Sequence, residues 1–243
     1  MRSVGDSIRL AGLAGSGLAY VFSEVLSAAK AGDAAAQVLL AQMYMEGKGV
    51  ARNPEEAVLW YSLAANLGEG IAMNMLGRCH ELGTGTPLNH ELAAVWYQRA
   101  AESGLDWGMY NYANLLSTGR GVQRDRAKAL ELYRRAAEMG HAKSMNLLAR
   151  HLEEGWETAR DPDAALYWYR RSAEEGDFRG QASYASILLQ QGSEDEAVRW
   201  LQVALDAGSP SFLSVVLPEL LASGLPRITD LARKYAHRWT IDP

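Results

Sequence analysis

Small and bulky residues alternate along this chain with a helical rhythm that restarts every 36 residues. One set of segments places a small residue at Ala36, Ala72, Gly108, Ser144 and Gly180 and a bulky one four positions later at Leu40, Leu76, Tyr112, Leu148 and Tyr184. A small residue follows each time, at Ala41, Gly77, Ala113, Ala149 and Ala185, and a further step of four reaches Tyr44, His80, Leu116, Leu152 and Leu188. Recurrence at i, i+4 and i+8 keeps these groups on one helical face, so the segments read as a helix A. A second set reads Ala57, Trp60, Tyr61, Ala64, Ala65, then Ala93, Trp96, Tyr97, Ala100, Ala101. Later copies give Ala129, Leu132, Tyr133, Ala136, Ala137 and Ala165, Trp168, Tyr169, Ser172, Ala173. These predict a helix B in every copy.

Two glycine series punctuate the helices. Gly32, Gly68, Gly104, Gly140 and Gly176 close the B helices, while Gly47, Gly83, Gly119 and Gly155 close the A helices, each series with the same step of 36. A closing glycine sits where the chain leaves a helix, and a positive φ is expected there. Asn53, Asn89, Asp125, Asp161 and Ser193 stand just before the B helices, where a side-chain oxygen accepts from free first-turn amides. Pro54 and Pro162 suit the first helical position, and Glu56 and Glu196 are placed to complete capping boxes on Asn53 and Ser193.

A fixed period in this range marks stacked supersecondary units, none of which can bury its own apolar face alone. The expected fold is all-α: a solenoid of about five helix-turn-helix repeats between capping helices. Its units are 33–68, 69–104, 105–140, 141–176 and 177–208. The fifth has a shortened turn between Gly192 and Trp200. An N-terminal half repeat is expected over 1–32, with a helix from near Gly17, and C-terminal capping helices over 209–243. There, Ser209 to Ala222 reads as a helix interrupted at Pro218, and Pro226 to Arg238 as an amphipathic helix with Ile228, Leu231 and Tyr235 inward.

Composition fits a folded repeat protein, with 48% hydrophobic and 22% charged residues among 243. A formal net charge of −5 disfavours nucleic acid and anionic membranes, both of which attract a basic face. The apolar stretch Ala11 to Phe22 is too short to span a bilayer. It reads as part of the capping helix, which implies a cytoplasmic protein. If residues 1–30 were instead a signal peptide, the protein would be periplasmic or secreted.

The motif Ala41, Tyr44, Gly47-Lys48-Gly49-Val50, Asn53-Pro54, Ala57, Trp60-Tyr61 and Ala64-Ala65 resembles the Sel-one-like repeat, a relative of the tetratricopeptide repeat. The likeness runs from roughly Gly17 to Gly208, and Gly119-Arg120-Gly121-Val122 through Gly140 looks like a consensus copy. Departures are Glu157-Thr158, where the second turn glycine and its valine are missing, the shortened fifth turn, and everything after Gly208. The resemblance implies a right-handed α/α superhelix with a concave surface lined by the A helices. It also implies an adaptor or scaffold that binds protein, often in bacteria.

By analogy with tetratricopeptide grooves, residues of the A helices that vary between copies are the candidates for binding. They are Asn74 and Arg78, then Trp107, Tyr110 and Asn114, then Lys143, Asn146 and Arg150, and finally Arg179. Two copies share Asn-x-x-x-Arg, which brings an amide for backbone groups and a guanidinium that grips a carboxylate bidentately. Trp107 lies off the repeat's tryptophan series of Trp60, Trp96, Trp168 and Trp200, and is the expected anchor. The expected ligand is an extended peptide, acidic in part. The plainer explanation of each residue is a solvated surface side chain, or for Trp107 a space filler between helices. An architectural or regulatory accessory subunit, binding through the convex face or the ends, is the alternative role.

Nothing in the sequence points to catalysis, a cofactor or a metal. The Gly-x-Gly turns follow helices and lack Gly-Lys-Ser/Thr. His80, His90, His141, His151 and His237 show no ligand spacing, and His80 takes the core place of Tyr44. Cys79, the single cysteine, is flanked by His80 and Glu81, yet consecutive helical residues point about 100° apart and cannot converge on one atom.

Overall fold

The computed structural model describes residues 15–239. Among them are thirteen α-helices and no strand. Helix α1 spans Gly15–Lys30. Four A/B hairpins follow: α2 (Ala34–Glu46) with α3 (Pro54–Asn66), α4 (Gly70–Leu82) with α5 (His90–Glu102), α6 (Asp106–Thr118) with α7 (Arg126–Glu138), and α8 (Ala142–Glu154) with α9 (Pro162–Glu174). The fifth pairs α10 (Phe178–Gln190) with α11 (Glu194–Ala207), before α12 (Pro210–Leu221) and α13 (Pro226–Trp239). The fold is the expected helical repeat solenoid. Residues 1–14, which hold part of the apolar stretch from Ala11, lie outside the described residues.

The chain divides into two compact units, Met1–Leu132 and Tyr133–Pro243. In the first, α1 to α6 pack each on the next, and α4 also touches α6. The small positions of the A helices are small because a neighbour occupies the space. A Cβ on Gly77 would lie 2.6 Å from the Tyr97 ring, which sits buried on that helix. In the second unit α8 packs on α9 and α10, α10 on α11, and α13 on α11 and α12. Ile228, Leu231 and Tyr235 of α13 are buried there as the pattern implies.

Left-handed φ values occur at both glycine series, for example +89° at Gly104 and +76° at Gly119. A third set, Gly49, Gly85 and Gly121, is glycine for a second reason. A Cβ there would stand 2.5 Å from Leu18 O, 2.2 Å from Pro54 O and 2.1 Å from His90 O respectively. The turns of the second and third repeats therefore rest on the start of the preceding B helix, and α1 occupies that place for the first repeat. The same turn position in the fourth repeat is Glu157, held at φ +55°, a conformation that disfavours any side chain.

Asn53, Asn89, Asp125 and Asp161 cap the B helices, each accepting from the amide three residues on at 2.9–3.1 Å. Ser193 departs from the expectation, with no side-chain capping bond. Nor do Glu56 and Glu196 close capping boxes, because the amide each would take is already committed. Asn53 N–H donates to Tyr44 O at 2.9 Å and Ser193 N–H to Leu188 O at 2.8 Å. The same backbone clasp joins Asn89 to His80, Asp125 to Leu116 and Asp161 to Leu152. The shortened fifth turn keeps the clasp and loses only the intervening residues. One further expectation changes. Helix α12 runs unbroken through Pro218, since a proline forfeits one backbone bond and this one is exposed. Gly208 is extended, at φ −66° and ψ 140°, because the chain turns directly into Ser209, whose hydroxyl accepts from Phe212 N–H.

Candidate functional site

The A helices expose one face in each unit. In the first unit, Asn111 Nδ2 donates to Asn74 Oδ1 at 2.8 Å, so the Asn74 amide is partly spent in tying α4 to α6. Arg78 is exposed, and Asn114 half-buried. Trp107 is 43% exposed and meets the Tyr110 ring edge-on at 6.1 Å, which holds the indole against the helix with one side open. Glu81 accepts from Tyr97 Oη at 2.7 Å and pairs with Arg120 of the next turn. Beside this pair lies a polar cavity of about 360 Å³ whose wall includes Asn111, Asn114 and Ser117. A second cavity of about 300 Å³, between α2 and α4, is walled by Met45, Met75 and Leu82 with Arg78 at its side.

The second unit holds an apolar-walled cleft of about 590 Å³ on its A-helix face. Its polar lining includes Asn146, Arg150 and Arg179 from α8 and α10, with Ser183, Ser186 and Glu153, and a second carboxylate, Glu219, comes from α12. Asn146 is buried, and Ser183 Oγ reaches its Oδ1 at 3.5 Å. Glu153 is fixed by Tyr169 Oη at 2.7 Å, a repeat of the Glu81–Tyr97 pair. The Arg150 guanidinium lies over the Trp156 ring at 5.0 Å and that of Arg179 over the Phe178 ring at 4.8 Å. A guanidinium resting on an aromatic ring still directs N–H groups outward, and is held ready for a carboxylate. Lys143, half-buried at the start of α8, is not part of this cleft's lining.

The apolar side comes from α12: Phe212, Val215, Val216 and Leu220, with Leu189 of α10. Phe212 is anchored on Phe178 at 4.8 Å between ring centres, and Val215 is 62% exposed. The pattern beyond Gly208 marks this helix as a cap, and the structure makes it a wall of the cleft as well. The signal was present: Phe212, Val216 and Leu220 form a second stripe at steps of four beside the buried Leu213 and Leu217.

Several basic residues are structural. Arg52, Arg124 and Arg160 donate Nε to the carbonyls of Met45, Ser117 and Glu153 at 2.9–3.1 Å, bracing the A–B turns. The His151 ring sits edge-on to Trp156, with Nδ1 3.1 Å from Trp156 O and 3.3 Å from Glu157. It stiffens the turn that carries the platform for Arg150. Burial pushes the Cys79 thiol up to about 11, which leaves it protonated and a poor nucleophile. Burial also lowers His80 below the usual imidazole range. No group of three or more His, Cys, Asp or Glu side chains able to hold a metal occurs among the described residues, and none of their helices is long and apolar enough to cross a membrane.

A helical array that repeats a two-helix unit of 36 residues, with exposed A-helix faces, defines an α/α repeat solenoid. The chain belongs to the Sel1 repeat family, whose model matches residues 34–69, 70–105, 108–141, 142–177 and 184–209; such repeats generally serve as protein–protein interaction modules. It is similar to a protective antigen of uropathogenic Escherichia coli with an SLR fold, at 29% identity and a TM-score of 0.73 over 91% of this chain. It spans about half (49%) of that protein's length. A Sel1 repeat protein from Oxalobacter formigenes is 27% identical, with a TM-score of 0.70 over 83% of this chain and 87% of the other. An immunity protein of Pseudomonas aeruginosa shares the fold at 18% identity, with a TM-score of 0.56 over 84% of this chain and 80% of its own. No curated protein shows a significant sequence match to the chain.

Proposed function

We propose that the chain is a non-catalytic adaptor that receives a peptide segment of a partner protein, acidic in part, on its A-helix faces. The observation that carries this reading is the cleft of about 590 Å³, where two ring-supported arginines oppose an apolar wall. A leucine-sized side chain buried against Val215, Val216 and Leu220 contributes about 1.5–3 kcal/mol. A charge-assisted hydrogen bond adds about 1.5–3 kcal/mol. Micromolar affinity needs about 8 kcal/mol after the cost of association. One anchor falls short, so the partner is an extended segment with further contacts on the second unit, Lys143 among the candidates; Asn74, Arg78, Trp107, Tyr110 and Asn114 are a candidate surface of the first unit by itself.

Peptides selected by display against the purified chain provide the test, with affinities read by fluorescence anisotropy. Arg150→Ala with Arg179→Ala, and separately Val215→Asp, should each weaken binding at least tenfold while the helical circular dichroism is unchanged. Undiminished affinity in both variants refutes the cleft.

A second reading, an architectural or regulatory accessory subunit, rests on the outer face of the first two B helices. Leu59, Leu63, Leu92 and Val95 are 58%, 48%, 43% and 50% exposed. The places of Leu59 and Leu63 are held by Glu131 and Arg135 one further copy beyond α5. If that face binds, Leu59→Asp with Val95→Asp abolishes partner capture and the arginine variants do not.

A further inference from the structure

Glu81 in the second repeat and Glu153 in the fourth hold one position of helix A, and each is oriented by a tyrosine of helix B, Tyr97 Oη and Tyr169 Oη donating at 2.7 Å. That bond uses one carboxylate oxygen. On Glu81 the other oxygen pairs with Arg120, which stands in the turn of the next repeat. Among the described residues no lysine or arginine forms an ion pair with Glu153. The reason lies in the shortened fifth turn: two repeats on from Arg120 the chain has Gly192, which has no side chain to offer. The pairing follows residue type elsewhere too. Where helix A carries Met45 or Ser117 at this position, the next turn carries Thr84 or Trp156 in place of Arg120.

The surroundings are shared as well. Glu81, Asn111, Asn114 and Ser117 line the polar cavity of about 360 Å³ in the first unit, and Arg120 completes its wall. Their counterparts two repeats on, Glu153, Ser183, Ser186 and Leu189, all line the cleft of about 590 Å³ in the second unit, where Gly192 is not part of the wall. The cations near Glu153 are engaged elsewhere. Arg160 Nε donates to its backbone carbonyl at 2.9 Å, and the Arg150 and Arg179 guanidinium groups lie over the Trp156 and Phe178 rings. The facing wall adds Glu219 of α12, an exposed carboxylate in the same cleft.

We propose that this cleft takes an arginine side chain of the partner segment, whose guanidinium lies on Glu153 as that of Arg120 lies on Glu81. A guanidinium presents its N–H donors as a planar fork that matches a carboxylate. Donors not used by Glu153 are available to Glu219, and the apolar wall of α12 suits the methylene stem. The array thus leaves out one internal cation and obtains it from its ligand. This rests on the peptide-binding reading above and specifies one of its contacts: the segment carries a base for Glu153 beside the acid that Arg150 and Arg179 receive.

The test compares two synthetic heptapeptide libraries, randomised except for arginine or its neutral isostere citrulline at the central position, bound to the full chain and read by fluorescence anisotropy. Methyl resonances of Leu189 and Val215 report whether they bind in the cleft. The arginine library should bind at least tenfold more tightly and shift both residues. Glu153→Gln keeps an oxygen for Tyr169 Oη, so the fold is preserved, and it should abolish that preference. Glu219→Gln should reduce it severalfold. Glu81→Gln removes the same charge where Arg120 already fills the place, and should leave the preference unchanged. Equal binding of the two libraries, a preference that survives Glu153→Gln, or one lost equally with Glu81→Gln overturns the proposal. If binding then still falls with Arg150→Ala and Arg179→Ala, the adaptor reading stands without it. If neither library binds, both fail.

Discussion

Tyr97 and Glu81 are joined by a 2.7 Å hydrogen bond between helices α5 and α4 of one hairpin. The phenol is buried, and burial with the adjacent carboxylate pushes its ionisation far above the ordinary tyrosine range. Glu81→Ala leaves the hydroxyl without an acceptor and releases Arg120, so it should cost about 1–3 kcal/mol. Tyr97→Phe in that background should recover most of the loss. Urea denaturation of the two single variants and the double variant gives the coupling, and additivity within about 0.3 kcal/mol would deny the pair any role.

Gly104 and Gly121 both adopt positive φ but differ in surroundings. A Cβ at Gly104 meets nothing within 4 Å, whereas one at Gly121 would stand 2.1 Å from His90 O. Gly104→Ala should therefore cost only the backbone term, on the order of 1 kcal/mol. Gly121→Ala adds forced displacement of the α5 start, a further ~1–3 kcal/mol. Equal melting temperatures for the two variants would contradict the packing of turn on helix.

Glu157 holds the same turn place with a side chain at φ +55°. A left-handed residue costs roughly 1–2 kcal/mol, against which the extra unfolded-state freedom of glycine takes back about 0.4–1 kcal/mol. Glu157→Gly should raise stability by about 0.5 kcal/mol, less what its contact with His151 supplies. A denaturation midpoint lowered by the change would show that this contact outweighs the strain.

Asp177 caps α10 by accepting from Gly180 N–H at 3.0 Å, yet it is 5% exposed. Burial raises its carboxyl above the ordinary value, outweighing that bond and the nearby Arg179 and Lys143. A carboxyl with a raised folded-state value favours folding most when protonated in both states. Its contribution is complete below the ordinary 3.8 and declines as pH rises through the folded value. Asp177→Asn keeps the capping oxygen and removes the charge. Stability at neutral pH should be equal or higher, and the decline above 3.8 should flatten. A steeper pH dependence in the variant would reverse this account.

The period of 36, the two helices per copy and the left-handed glycines were legible because each depends on residue type at one position: a small side chain under Tyr97, a missing Cβ above His90 O. The exception at Ser193 was not, since whether a side chain caps depends on where the neighbouring carbonyl of Leu188 lies. The candidate site was half legible. Arg150, Arg179 and Asn146 follow from their places on the A helices, but the apolar wall of Phe212, Val215 and Val216 lies outside the repeat, and no period predicts its docking.

The clasp from Ser193 N–H to Leu188 O spans five residues where Asn53 to Tyr44 spans nine. Hinge points fixed at both ends in this way make the segment between them an expendable length of chain. Foreign sequence spliced into that gap meets little thermodynamic resistance, since closing a longer loop adds only about 0.6 kcal/mol per doubling. The fifth turn, which carries no glycine packed against a neighbouring helix, is thus the natural port for grafting tags, epitopes or whole domains.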